Sequence, residues 1–68
     1  MTIQIDKDAD AAYIRLSNGT PFESEEVEPG VVIDFDDAGR VVAIELLKIS
    51  VRIPSGAFSS VEVLTGIA

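Results

Sequence analysis

Two runs in this chain alternate apolar and polar side chains with a period of two on either side of a short, aspartate-rich break. That pattern constrains the fold more than any other feature of the sequence, because its simplest solution is an antiparallel hairpin. In the first run, Ile3 and Ile5 alternate with Gln4 and Asp6, and Ala12, Ile14 and Leu16 alternate with Tyr13, Arg15 and Ser17. If Lys7-Asp8-Ala9-Asp10 forms the loop, Ile5 faces Ala12 and Ile3 faces Ile14, and the apolar side chains of both strands share one face.

The second run, VVIDFDDAGRVVAIELL from Val31 to Leu47, repeats the arrangement. A four-residue loop of Asp36, Asp37, Ala38 and Gly39 pairs Ile33 with Val42 and Val31 with Ile44. A loop one residue shorter, closing Asp36 on Arg40, sets Val31 against Glu45 and Ile33 against Ala43. The apolar pattern favours the longer loop. It places Gly39 where a left-handed residue is needed, and Asp36 and Asp37 where short side chains can bond the turn backbone. The aspartates are read as turn chemistry. Asp10 then takes the place of Gly39 in the first hairpin, a conformation that aspartate tolerates better than most residues.

Ser17-Asn18-Gly19-Thr20-Pro21 joins the two hairpins as a turn cluster. After it, Phe22 to Glu28 reads FESEEVE and ends at Pro29-Gly30. Its four glutamates, Glu23, Glu25, Glu26 and Glu28, suit an edge strand, where charge discourages unwanted pairing. Arg40 to Leu47 differs from the other strands in being apolar on both sides. Val42, Ile44 and Leu46 lie on the core face, while Val41, Ala43 and Leu47 lie on the other with only Glu45 breaking the run. That second face is expected to meet either the C-terminal segment or another subunit. In the tail, Phe58, Val61 and Leu64 fit one helical face, with Pro54 near its start and Gly66 as a stop. Val61 and Val63 fit a strand equally well. A short helix covering the sheet is the reading adopted.

Size then says what this sheet lacks. A chain of 68 residues forms one domain and buries only about 60% of the surface its unfolded form exposes. Disulfides, a structural metal or association usually make up the difference. With no cysteine and no histidine, a disulfide is excluded and a zinc site loses its preferred ligands. Association is left, and a homodimer is expected. The opening MTIQIDKDAD has no basic or apolar leader region, and no run approaches the roughly 18 apolar residues of a membrane span. No membrane segment and a cytoplasmic location are therefore expected. Twelve acidic residues against five basic ones give a net charge of −7, which repels phosphate backbones and argues against nucleic acid as a partner. A basic protein is the partner that such a charge attracts.

The succession DADAAYIRLS, then ESEEVEPGVVIDFDDAGRVVAIELL, resembles the small prokaryotic proteins grouped as domain of unknown function 2283. The resemblance covers about Ile5 to Leu47. It rests on the order of parts: the Ala-Asp-Ala strand with Tyr-Ile-Arg-Leu, the Glu-rich segment, the Pro-Gly, and the Asp-Gly hairpin. Beyond Leu47, Lys48-Ile49-Ser50-Val51-Arg52 departs from the family's Asp-Ala-Ser-Lys-Arg-like continuation. The resemblance implies a small β-rich domain with no assigned activity. It also implies, through relatives encoded beside basic ribonuclease-like toxins, an antitoxin-like partner role. It carries over no catalytic residue.

Chemistry of the chain's own has little to work with. Acid-base and covalent catalysis fall mostly to histidine, cysteine or an activated serine. The carboxylates Asp8 and Asp10 sit at a loop tip without a neighbour to perturb them, and Lys7, Lys48 and Tyr13 stand alone. Asp6-x-Asp8-x-Asp10 copies the first ligand positions of a calcium loop, but Ala11 replaces the required glycine and Ser17 the closing glutamate. No catalytic residue, metal or cofactor is assigned.

The expectation is a single, mainly β domain over residues 1–68. An antiparallel sheet of two consecutive hairpins occupies 1–49, with strands at about 2–6, 11–17, 31–35 and 40–47 and an extended acidic edge at 22–28. The segment 50–68 covers one face. Its work is binding another protein through Glu23, Glu25, Glu26 and Glu28, with Val41, Ala43 and Leu47 as the oligomer face. A structural or regulatory homo-oligomer is the alternative, and an enzyme using carboxylates is a distant third.

Overall fold

The computed structural model describes residues 1–54, 57 and 60–66. The chain forms one five-stranded antiparallel sheet: β1 (Thr2–Asp6), β2 (Ala11–Arg15), β3 (Glu23–Glu28), β4 (Val31–Phe35) and β5 (Val41–Leu47), followed by a four-residue helix α1 (Ile49–Arg52). The spatial order is β1-β2-β5-β4-β3. A hairpin thus comes first, and a three-stranded meander returns so that β5 lies against β2.

The first hairpin has the expected loop and register, with Ile3 opposite Ile14 and Ile5 opposite Ala12. Asp10 takes the left-handed conformation at φ 53°, and Asp6 Oδ1 accepts the Ala9 amide at 3.0 Å. The acidic segment is a true edge strand. It pairs with β4 through the two-residue turn Pro29-Gly30, so β3 and β4 form a third hairpin, with an irregularity between Glu26 and Glu28.

The β4–β5 loop is a correction. It is the shorter one, with the Asp36 amide donating to Arg40 O at 2.8 Å and the Gly39 amide to Asp36 O at 3.0 Å. The expected cost, apolar residues thrown onto the wrong face, is avoided by a bulge. Phe35 pairs with Val41 but Asp34 with Ala43, which leaves Val42 as an extra residue. Beyond it Ile33 meets Ile44 and Val31 meets Leu46, apolar against apolar. On the far side of the bulge from the loop the alternation thus fixes which face each residue takes, while loop plus bulge fix the register and move Val41 to the face opposite Ala43.

Pairing across all five strands lays out two apolar rows on one face. Ile3, Ile14, Ile44 and Ile33 run across β1, β2, β5 and β4 and end on Glu25; Ile5, Ala12, Leu46 and Val31 run in parallel and end on Glu28. The opposite face is polar, with the row Gln4, Tyr13, Glu45, Val32, Glu26 next to the row Thr2, Arg15, Ala43, Asp34, Ser24. Among the described residues, full burial is confined to Ala12, Val42, Ala43 and Ile49 of the apolar ones and to Asp34 of the polar ones.

The link from β2 to β3 packs on the bulge. A Cβ at Gly19 would lie 2.7 Å from Val42 Cγ1, so this close approach requires glycine. Arg15 Nη2 donates to Gly19 O at 2.7 Å, and the Leu16 amide to Val42 O at 2.9 Å.

The C-terminal reading is corrected in position. The short helix begins at Ile49 and ends before Pro54, not after it, and at its end the Ile53 amide donates a hydrogen bond to Ile49 O at 2.8 Å. Residues 60–65 carry no regular element, and Val61, Val63 and Leu64 are exposed, so these residues cover neither face. Phe58, the first residue of the expected helical stripe, lies outside the described residues.

Candidate functional site: an acidic edge and a buried hydroxyl–carboxylate clamp

Alternation along β3 sends glutamates to both sides of the sheet at its margin. Every residue of β3 is exposed, and the register places Glu25 beside Ile33, Glu26 beside Val32 and Glu28 beside Val31. Glu23 completes the set, opposite Phe35. The irregularity at Val27 twists the outer rim, and the two prolines that bracket the segment, Pro21 and Pro29, have no amide to offer a further strand. Four carboxylates on one edge give a local field that attracts cations and basic surfaces over roughly 8 Å at physiological salt.

The polar face holds a connection that sequence reasoning missed. Asp34 is 7% exposed. Its Oδ2 accepts the Tyr13 hydroxyl at 3.0 Å and its Oδ1 the Ser24 hydroxyl at 2.6 Å. Tyr13 therefore does not stand alone. Its side chain crosses over β5 to reach β4, and it can do so because the residue beneath the crossing is Ala43, which is 0% exposed. A buried carboxylate is tolerable where hydroxyls satisfy both oxygens. Burial, and next the hydrogen bond and charge of Asp34, push the Tyr13 phenol above its usual pKa. The arrangement ties β2, β4 and β3 together across β5. One signal could have found it: Asp34 is a charged residue inside the apolar run VVIDF, and a charge there needs donors.

The residues read as an oligomer face are separated by the bulge. Val41 pairs with Phe35 and Ala43 with Asp34, which puts their side chains on opposite sides of the sheet. Ala43 is covered within one chain, and Leu47 is half-buried. Val41, Ala43 and Leu47 therefore do not form one open apolar surface.

The turn residues divide their work unequally. Asp36 Oδ1 accepts the amides of Ala38 and Arg40, both at 2.9 Å, Asp37 is exposed at the tip, and Gly39 has φ 80°. Asp10 has a second role that its loop position did not suggest. Its Oδ1 accepts the Ser50 amide at 3.0 Å, its Oδ2 the Ser50 hydroxyl at 2.7 Å, and its carbonyl the Ile49 amide at 3.0 Å. Asp6 and Asp10 thus turn toward backbone and Ser50, and among the described residues no group of three or more His, Cys, Asp or Glu is placed to hold a metal ion. A cleft of about 390 Å³ between the β3–β4 turn and α1 is lined by Pro29, Leu47, Lys48, Val51 and Arg52 among others, with Arg52 Nη2 donating to Pro29 O. Among the described residues no helix is long and apolar enough to cross a membrane.

A family model described as protein of unknown function (DUF2283) matches residues 2–50, from the first strand through the first residues of α1. No curated protein and no solved structure matches the chain.

Proposed function

This chain belongs to the DUF2283 family, whose description assigns no activity, and from that premise we propose that it is an acidic protein-interaction domain that binds a basic protein through the β3 edge. The observation that carries this reading is the placement of Glu23, Glu25, Glu26 and Glu28 on a fully exposed margin strand, in a chain of net charge −7. The narrower form of the reading is an antitoxin-like role against a basic ribonuclease-like toxin. Its support is chemical: a protein that holds RNA presents a basic surface, and a line of carboxylates can occupy that surface in place of phosphates. No step of catalysis is assigned.

Co-purification from the native host, with mass spectrometry of whatever accompanies the chain, tests it. A basic protein should accompany the wild type. Replacing the four glutamates by glutamine should slow association by about tenfold or more at low salt and flatten the salt dependence. Identical low-salt kinetics for the two proteins would reduce the segment to a guarded sheet edge. The half-open apolar face favours a second reading, a homo-oligomeric protein without catalytic activity, and absence of any heterologous partner would give it precedence.

A further inference from the structure

We infer that the apolar face of the sheet is closed by the same face of a second copy of this chain, forming a two-layer sandwich in which β3 stays outside the overlap. A single sheet with one apolar face has to bury that face against another layer. The described part of this chain supplies no such layer. Ile3 and Leu16 remain 41% and 42% exposed, and Ile14, Ile33, Ile44 and Leu46 are only half-buried.

Area and charge choose the occupant. A compact monomer of 7.2 kDa is expected to expose about 4,100 Å². This chain exposes 5259 Å², about 1,100 Å² more than that scaling allows. Part of the excess lies in residues 60–66, which are exposed throughout, and part on the open face. A standard interface buries about 800 Å² per partner, less than the whole excess, so an isologous pair can absorb the share that lies on the open face. The radius of gyration of 13.2 Å and a shortest extent of 19 Å describe the same thin slab.

Charge then sets how the two copies overlap. The isoleucine row carries no charge until Glu25, and the second row none until Glu28, so the surface has nothing to recognise a basic partner. It also has nothing to repel a copy of itself. A twofold axis running between β2 and β5 lays β1 over the second copy's β4 and β2 over its β5. Both β3 strands then project beyond the overlap, and Glu25 and Glu28 reach solvent without burial. The edge-to-edge alternative is closed at β3 by its glutamates and its irregular pairing.

Sedimentation equilibrium of the full chain should give twice the 7.2 kDa monomer mass. Leu16→Glu and Ile3→Glu each replace a side chain that is more than one-third exposed in the single chain, so each should keep its β-type circular dichroism while weakening dimerisation about a hundredfold or more. A second measurement covers the case in which these variants unfold. In a mixture of differently labelled wild-type chains, isotope-filtered methyl spectra should show contacts between isoleucines of different copies. A monomeric wild type would overturn the inference, as would a dimer untouched in both folded variants. So would a face whose isoleucine methyls contact only Val61, Val63 or Leu64 of the same chain. The four-glutamine variant of β3 should remain a dimer, which keeps this test separate from that of the acidic edge.

Discussion

Gly39 and Tyr13 show how single residues hold this sheet in register. Gly39 sits at φ 80° with nothing within 4 Å of where a Cβ would stand, so a substitution there meets no clash and its whole cost is conformational. Gly39→Val should destabilise the fold by about 1–3 kcal/mol, because a β-branched residue resists the left-handed region. An unchanged urea midpoint would remove the assignment of this residue to the turn. Tyr13→Phe leaves one oxygen of the enclosed Asp34 without its donor and should cost about 1–3 kcal/mol at neutral pH. The pH dependence has a definite sign. The folded-state pKa of Tyr13 lies above its free value, so the neutral phenol is the favoured form in the fold. Its contribution is complete below the ordinary tyrosine value of about 10 and is lost as pH rises through the folded value. Wild type should therefore lose more stability than Tyr13→Phe between about pH 9 and about pH 11, and the gap between them should narrow. Urea unfolding across that range measures it, and a gap that widens would place the hydroxyl's value elsewhere.

At the scale of elements, what could be read from the sequence was local. Alternation and turn residues specify the β1–β2 hairpin down to its register, because a loop of four residues is closed by its own neighbours. The same logic failed by two positions in β4–β5. A bulge at Val42 costs one residue and restores the phase, and nothing in a period-two pattern marks which residue is extra. The misreading of Val41, Ala43 and Leu47 as one face follows from that bulge. Glu23 to Glu28 were legible as an edge because carboxylates at alternate positions cannot be buried on either side. The pairing of β2 with β5 and the clamp from Tyr13 to Asp34 were not, since each joins residues far apart in the chain. The anchoring of α1 is non-local in the same way. A four-residue helix is too short to hold itself, and here it is held by Asp10, forty positions upstream of Ser50. Asp10→Gly separates the two roles of that residue, because glycine accepts the positive φ while removing the carboxylate. The hairpin should persist by circular dichroism, and trypsin should cleave after Arg52 several-fold faster as α1 detaches more often. Unchanged cleavage would mean that Ile49 packing and its amide hydrogen bond to the carbonyl of residue 10 hold the helix without the carboxylate.

For the whole molecule, the charge that suits the chain to a basic partner should weaken the chain by itself. Twelve acidic residues against five basic ones leave an excess that favours expansion, and four of the acids crowd one exposed strand. A bound basic protein would neutralise them, as added salt does less specifically. Raising sodium chloride from about 20 to about 500 mM shortens the screening length from roughly 20 Å to about 4 Å, which removes most repulsion between exposed carboxylates. The melting temperature should rise by about 4–8 °C if that relief amounts to about 1 kcal/mol in a domain of this size. Replacing Glu23, Glu25, Glu26 and Glu28 by glutamine removes four of the seven excess negative charges. That variant should melt higher than wild type at low salt and respond less to added salt, with the two proteins converging at the high-salt end. Together with slower binding, that result would mean that β3 keeps its glutamates at a cost to the isolated fold, which is the signature of a surface held for a partner. If the glutamine variant instead melts lower at every salt concentration, the carboxylates stabilise the sheet edge itself, and recognition would have to lie elsewhere on the molecule.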